Sequence, residues 1–244
     1  MKRVRGDSFA YPINHRPYVI LCHDVMVPIA KRMQELNPDR FKYLPISWGK
    51  YPDGTDNIKI AGFSPRNLIA NQHCLFLSSF HNNDVTLSQF SVLIVLLQSF
   101  IESMTVVLPY FPVGTMERVE HEGQVATANT YSMMFSHLPL CARPARLMVY
   151  DIHTLQNRFY FHSNCVPSLH TTMPLLRAIV QEKGGYTIAF PDDGAAKRFS
   201  AFFTGYDVIV CGKVRSLEAR VVTITKGTAV DKKVVIVDDL VQTG

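Results

Sequence analysis

The sequence predicts an α/β protein whose largely parallel sheets are flanked by helices. Short apolar runs alternate with helical patterns along the chain, the order expected of strand–helix–strand units. The runs are continuous rather than alternating in polarity, as in sheets covered on both faces. At 244 residues, with 47% hydrophobic and 18% charged side chains, the chain is long enough for one large domain or two small ones. That composition excludes a disordered, collagen-like or coiled-coil chain.

Tyr18–Cys22 reads as the first strand, followed by an amphipathic stretch to Leu36 that Asn37-Pro38 stops. Cys74–Leu77 is a second strand. Thr86 is placed as the cap of a helix running through Ile101, and Thr105–Leu108 is a third strand. Gln124–His137 reads as helix and Leu147–Tyr150 as a fourth strand. Ser168–Glu182 is predicted helical, closing at Gly184-Gly185, a C-cap pattern. Thr187–Phe190, Asp207–Val210 and Val234–Val237 are further strands, and the β-branched stretch Ala219–Ile224 adds another. A break near Asn164–Ser168 divides the chain, with domains expected at 1–165 and 166–244.

The net charge of +5 suits anionic ligands, but no clustered basic face points to nucleic acid. The five cysteines are odd in number, widely spaced and without a C-x-x-C pair. A disulfide framework or zinc ribbon is therefore not expected, and free thiols in a reducing compartment are. No apolar leader follows the basic N-terminus, and no apolar run approaches the ~20 residues of a membrane span. The reading is cytoplasmic, without a membrane partner.

In open α/β sheets ligands gather beyond the carboxyl ends of strands. Four such ends here run into polar and charged residues: Asp151-Ile-His153, Pro191-Asp192-Asp193-Gly194 followed by Lys197 and Arg198, Cys211-Gly-Lys213-Val-Arg215 and Asp238-Asp239-Leu-Val-Gln242-Thr243-Gly244. Paired carboxylates can accept hydrogen bonds from vicinal sugar hydroxyls, and a Thr-Gly loop can offer backbone N–H groups to a phosphate. A Walker-type phosphate loop and a G-x-G-x-x-G fingerprint are both absent.

Val234–Gly244 resembles the phosphoribosyl diphosphate (PRPP) motif of type I phosphoribosyltransferase folds. Further segments are similar, in order, to those of PRPP synthetases (ribose-phosphate diphosphokinases). They are Tyr51-Pro-Asp53-Gly54-Thr55 (first ATP loop), Pro109-Tyr-Phe111 (the strand end before the second), Tyr150-Asp151-Ile-His153 (metal segment), Phe190–Gly194 (diphosphate segment) and Lys213-Val-Arg215 (flexible catalytic loop). Phe111–Arg118 with Glu122–Thr127 is similar to the plant-type, class II branch, which shares Thr115-Met116 where the bacterial type has Arg-Gln.

The resemblance implies two type I phosphoribosyltransferase-like domains, oligomers, and transfer of the diphosphoryl group of Mg-ATP to the 1-hydroxyl of ribose 5-phosphate. By that resemblance Lys213 and Arg215 face the migrating group, and Tyr51, Asp53, Gly54, Thr55, Arg118 and His153 serve ATP. Asp192, Asp238, Asp239, Gln242, Thr243 and Gly244 serve ribose 5-phosphate, and His153, Asp192 and Asp151 are candidate contacts to Mg²⁺. Asp193 is expected to cap the helix that follows, and Arg118 either touches ATP phosphates or pairs with Glu117 or Glu120. The family continues the PRPP loop beyond the residue matched by Gly244, so the second domain is expected to be incomplete in this sequence. The alternatives are a regulatory homologue without catalysis and a base phosphoribosyltransferase, which would leave the Tyr51–Thr55 and Tyr150–His153 segments unexplained.

Overall fold

A computed structural model of the chain describes residues 16–215 and 220–241, with backbone alone at 213–215, 220 and 221. The chain divides into two compact units. The first comprises residues 1–108, 130–148 and 161–167; the second comprises 109–129, 149–160 and 168–244. Residues 109–129 and 149–160, expected with the N-terminal stretch, thus belong to the second unit.

The first unit begins with β1 (Tyr18–Cys22), α1 (Val27–Leu36), β2 (Phe41–Tyr43), β3 (Ile46–Ser47), β4 (Lys59–Ile60) and β5 (His73–Leu77). It continues with α2 (Asn83–Leu97), β6 (Ser103–Leu108), α3 (Thr127–Ser136), β7 (Ala145–Tyr150) and β8 (Cys165–His170), whose outer residues cross into the second unit. Six strands form a sheet in the order β2-β1-β5-β6-β7-β8, while β3 and β4 make a separate hairpin ladder. Strand β1 pairs in parallel with β2 and β5, and β5 with β6. The apolar run of β1 is buried from Val19 to Cys22, because the strand is central and covered on both faces. Phe80, Phe90 and Phe135 pack together, with centroids 5.5 Å (Phe80–Phe90) and 4.8 Å (Phe90–Phe135) apart. Such ring pairs add directional contact to the area they bury.

The second unit carries α4 (Met173–Lys183), β9 (Tyr186–Phe190), α5 (Asp193–Phe199), β10 (Val208–Arg215), β11 (Arg220–Lys226) and β12 (Lys233–Ile236). Its four-stranded sheet runs β11-β10-β9-β12. Strands β10 and β12 flank β9 in parallel, and β11 pairs antiparallel with β10. Met173, Val180, Ile188, Phe190, Ala195, Phe199, Phe203 and Val237 form its core.

Several boundaries differ from the sequence reading. Asn82, not Thr86, caps α2: its side chain accepts from Val85 N at 2.9 Å, while Thr86 Oγ1 turns back to Asn82 O at 2.7 Å inside the first turn. The helix ends at Leu97 rather than Ile101, before Phe100 takes a left-handed φ of 62°. Helix α3 begins at Thr127, three residues after Gln124. Ser168 to His170 belong to β8, and α4 starts only at Met173, with Pro174 in its first turn. Gly184 ends α4 at φ 64°, the backbone freedom its C-cap requires.

Candidate active site

Because β9 and β12 are parallel neighbours, their carboxyl ends emerge side by side. Ile236 pairs with Ala189, and Val237 N donates to Ala189 O at 2.8 Å. This register brings Pro191-Asp192 and Asp238-Asp239, 46 residues apart in sequence, to one edge. Asp192, Gly194, Ala195, Arg198, Phe199, Asp238, Asp239 and Leu240, with Thr115 and His153, line a cavity of about 710 Å³ within the second unit.

Asp192 is the N-cap of α5; its Oδ1 accepts from Ala195 N at 3.0 Å. The cap expected of Asp193 is therefore one residue earlier, and Asp193 sits in the first helical turn. Asp192 has the extended backbone of a cap (φ −158°), and its carboxylate answers an N–H that the helix leaves unpaired. A Cβ on Gly194 would stand 3.2 Å from Asp192 Oδ1, so glycine leaves this carboxylate its room.

Asp239 is 10% exposed and engages two ionisable partners. Arg198 Nη1 donates to its Oδ2 at 2.8 Å, and His153 Nδ1 lies 3.1 Å from the same oxygen. Arg198 also donates to the backbone oxygen of His153 at 3.0 Å. Asp238 Oδ1 accepts from Asp239 N at 2.9 Å. Burial pushes the Asp238 carboxyl above its ordinary range, and the neighbouring carboxylates of Asp239 and Asp192 add to the rise.

The donor set answers whether Mg²⁺ fits here. Among the described residues, three carboxylates and one guanidinium line the cavity. Among the described residues no group of three or more His, Cys, Asp or Glu side chains is arranged to hold an ion outright. One or two carboxylates, completed by substrate phosphates and water, are the usual protein share of a Mg²⁺ site. Asp192, Asp238 and Asp239 fit that share.

Asp151 has a different setting. Its Oδ1 accepts from Thr171 Oγ1 at 2.6 Å, and its Oδ2 from both Thr172 N, at 2.9 Å, and Thr172 Oγ1. The carboxylate thus fastens the chain just ahead of α4, and the residue holds a left-handed φ of 42° to do so. It does not line the His153 cavity.

Lys213 and Arg215 lie on β10, not in a loop. Pairing with β11, Lys213 opposite Val222 and Arg215 opposite Arg220, prolongs the strand past Val210, because a β-branched partner segment supplies the ladder. Gln242, Thr243 and Gly244 fall outside the described residues.

Tyr51–Thr55 forms a turn in the first unit. Gly54 N donates to Tyr51 O at 2.9 Å and Tyr51 N to Thr55 O at 2.8 Å, with Gly54 at φ 87°. Asp53 Oδ1 accepts from Thr55 N at 3.0 Å and Oγ1 at 2.7 Å. These bonds, the hydroxyl's first, hold the Asp53 carboxyl below its usual range. The Tyr51 ring is left half exposed.

Arg118 is 81% exposed and forms the ion pair with Glu117 at 3.3 Å. The two residues, with Thr115, Met116, Glu120, Gln124, Val125 and His153, line a second cavity of about 680 Å³. Glu117 Oε1 also accepts from Thr154 Oγ1 at 3.1 Å, and its buried Oε2 has no hydrogen-bond partner among the described residues. A Cβ on Gly114 would stand 3.1 Å from the Phe111 backbone oxygen, so glycine suits the tight turn there, while the His153 Cβ would lie at an ordinary contact distance. Sequence reasoning missed Thr154. It noted Arg198 among the charged residues that follow β9 and Glu117 as a pairing partner of Arg118, without giving either a role in the site.

No family model matches the chain. Curated relatives do. It is 42% identical over 231 residues to "Ribose-phosphate pyrophosphokinase 3, chloroplastic" of Oryza sativa subsp. japonica, covering 93% of this chain and 56% of that protein. It is 40% identical to "Ribose-phosphate pyrophosphokinase 4" of the same species, over 93% of this chain and 69% of that one. It is 39% identical to "Ribose-phosphate pyrophosphokinase 4" of Arabidopsis thaliana, over 94% and 67%. The chain thus spans between about half and two thirds of the length of the curated relatives named here. The crystal structure of phosphoribosylpyrophosphate synthetase from Mycobacterium smegmatis matches with a TM-score of 0.70 at 14% identity, over 91% of this chain and 71% of that one. That likeness bears on the fold, and the parallel α/β sheets flanked by helices agree with it. With identities near 40% over most of its length, the chain belongs to the ribose-phosphate pyrophosphokinase family.

Proposed function

We propose that the protein transfers the diphosphoryl group of Mg-ATP to the 1-hydroxyl of ribose 5-phosphate, giving PRPP and AMP. The observation that carries this reading is the gathering of Asp192, Asp238 and Asp239 at one edge by the β9–β12 register, around a cavity that His153 also lines. In the reaction the sugar's 1-oxygen bonds to the β-phosphorus while the bond from that phosphorus to the α,β-bridging oxygen breaks. AMP leaves with that oxygen, and the hydroxyl proton is released. Such a transfer asks the protein for alignment and for cations where negative charge grows. Bound Mg²⁺ would supply charge neutralisation at the diphosphate.

Asp238 and Asp239 are the proposed acceptors for the ribose hydroxyls, with Gln242, Thr243 and Gly244 holding the 5-phosphate. Asp192, and His153 beside the nucleotide, are the proposed contacts to Mg-ATP. Asp151, its carboxylate engaged with Thr171 and Thr172, is assigned a supporting place. Tyr51 offers a ring face to adenine, Asp53, Gly54 and Thr55 shape that turn, and Arg118 reaches the ATP phosphates. Lys213 and Arg215 are assigned to the migrating group. The working form is proposed as a homo-oligomer.

No helix among the described residues is long and apolar enough to cross a membrane. The proposed location is the cytoplasm, supported by five free thiols. Relatives carry chloroplastic and mitochondrial names, so imaging the tagged full-length protein decides the compartment.

The test is ³¹P NMR detection of PRPP and AMP from the 244-residue chain, Mg-ATP and ribose 5-phosphate, without added phosphate. Product that requires both substrates supports the reading. Its absence, from both this chain and a C-terminally extended one, overturns it in favour of a regulatory role.

A further inference from the structure

We infer that Arg198 is a positioning residue for the ribose site, acting through the carboxylate of Asp239. The inference rests on the functional reading above and extends it to a residue outside the family motifs recognised in the sequence. Arg198 sits in the last turn of α5, the same short helix that Asp192 caps. Its Nη1 bridges Asp239 Oδ2, at 2.8 Å, and the backbone oxygen of His153, at 3.0 Å. Its guanidinium carbon stands 4.9 Å from the centroid of the Phe199 ring, and Phe199 is 2% exposed within the core. Four features therefore converge: a core ring, a helix end, a strand-end carboxylate and the His153 backbone. The side chain is 23% exposed and the carboxylate it holds 10%.

Two physical consequences follow. Without Arg198, the carboxylate of Asp239 would face Asp238 and Asp192 across the same cavity with His153 as its one other ionisable basic partner among the described residues. Like charges gathered this closely repel one another unless a cation lies among them. The guanidinium of Arg198 supplies that cation whether or not a nucleotide is bound. Its bond to Oδ2 of Asp239 also restrains the carboxylate, whose Oδ1 meets only the longer 3.3 Å approach of His153 Nδ1 among the described contacts and is the oxygen offered to a sugar hydroxyl. Lysine could supply the charge. It lacks the planar guanidinium that lies over the Phe199 ring while two oxygens share one nitrogen. Arg198 touches no reacting atom in this arrangement; it decides where Asp239 can accept.

The experiment is a double-mutant cycle on the 244-residue chain with Arg198→Met, Asp239→Asn and the double variant. Ribose 5-phosphate binding is read by calorimetry without nucleotide, and KM for each substrate by initial rates. Acting through Asp239, Arg198→Met weakens ribose 5-phosphate binding at least tenfold and shifts KM for ATP less than twofold. The double variant then binds no worse than Asp239→Asn alone. Arg198→Lys recovers part of the loss, and thermal unfolding identifies the folded variants. Should Arg198→Met fail to fold, the cycle is run with Arg198→Lys, for which the same non-additivity is expected. Losses that add in the cycle, equal losses toward both substrates, or unaltered sugar binding in a folded variant overturn the assignment. A wild-type chain that binds no ribose 5-phosphate removes the functional reading itself, and the inference with it. Wild-type binding with additive losses removes only Arg198.

Discussion

Asp151 and Asp239 both lie in the second unit and both follow apolar strands, yet their carboxylates have opposite settings. Asp151 spends both oxygens on the Thr171 and Thr172 hydroxyls and on one backbone N–H, all uncharged donors at the entry to α4. Asp239 meets Arg198 and His153, which carry or can carry charge, at the wall of an open cavity. Sequence alone gives both the same description, an acidic residue after an apolar run. The difference teaches that a strand-end aspartate is read by its donors. Neutral donors make it a fastening for the backbone, whereas ionic donors hold a carboxylate at the wall of a cavity.

The sharpest way to break this contrast is Asp239→Asn, for which we expect kcat/KM toward ribose 5-phosphate to fall about a hundredfold or more, the scale of losing a preorganised charged contact. Steady-state kinetics at saturating Mg-ATP check it, and wild-type efficiency would place Asp239 beside Asp151 as a fastening. Lys213→Ala is expected to lower turnover by a similar factor while calorimetric ATP affinity stays within about twofold, because a cation that acts on growing charge contributes little to the ground state. Unchanged turnover would take Lys213 out of the mechanism. Phe203→Ala, in the core of the same unit and away from the cavity lining, should cost about 3–5 kcal/mol of stability by denaturant unfolding. A loss below about 1 kcal/mol would show that the second unit does not depend on that core. Asp151→Asn should cost about 1–2 kcal/mol, the worth of charge-assisted bonds at a helix start, and leave KM for Mg-ATP unaltered. A shifted Mg²⁺ dependence at unchanged stability would instead return Asp151 to the metal.

The smallest perturbation is thiol labelling. Burial pushes Cys22 up to about 11 and Cys74 and Cys165 up to about 12, while Cys141 and Cys211 are half-buried. An aromatic disulfide reagent at pH 8 should therefore titrate two thiols quickly and all five only after unfolding, since the reactive species is the thiolate. Rapid reaction of all five in the native protein would contradict the buried strands that hold the other three.

The longer apolar strands were legible because a buried strand is apolar along most of its length, as in Tyr18–Cys22, Cys74–Leu77 and Thr187–Phe190, whereas the short strands Phe41–Tyr43, Ile46–Ser47 and Lys59–Ile60 and the order of strands in the sheets were not. Helix starts were less legible. Asn82 and Thr86 are both chemically able to cap, and the choice fell to the residue whose side chain reaches Val85 N. Ser168–His170 carries no strand signature of its own and is placed by the sheet order, in which β8 lies next to β7. Asp238, Asp239 and His153 were legible as site candidates from their motifs, but the bonding among them was not.

By itself the sequence determined the α/β class, the family motifs and the acidic strand ends, since local pattern and residue chemistry travel with the chain. Only the tertiary structure decided which strand ends share a cavity, that Asp192 rather than Asp193 caps α5, and that Lys213 and Arg215 sit on a paired strand. It also decided that Arg198 holds Asp239. The cap was a choice between adjacent carboxylates that only the backbone geometry could make; the others depend on a partner tens of residues away or on a register, and a register is fixed by packing between strands rather than by any residue read alone.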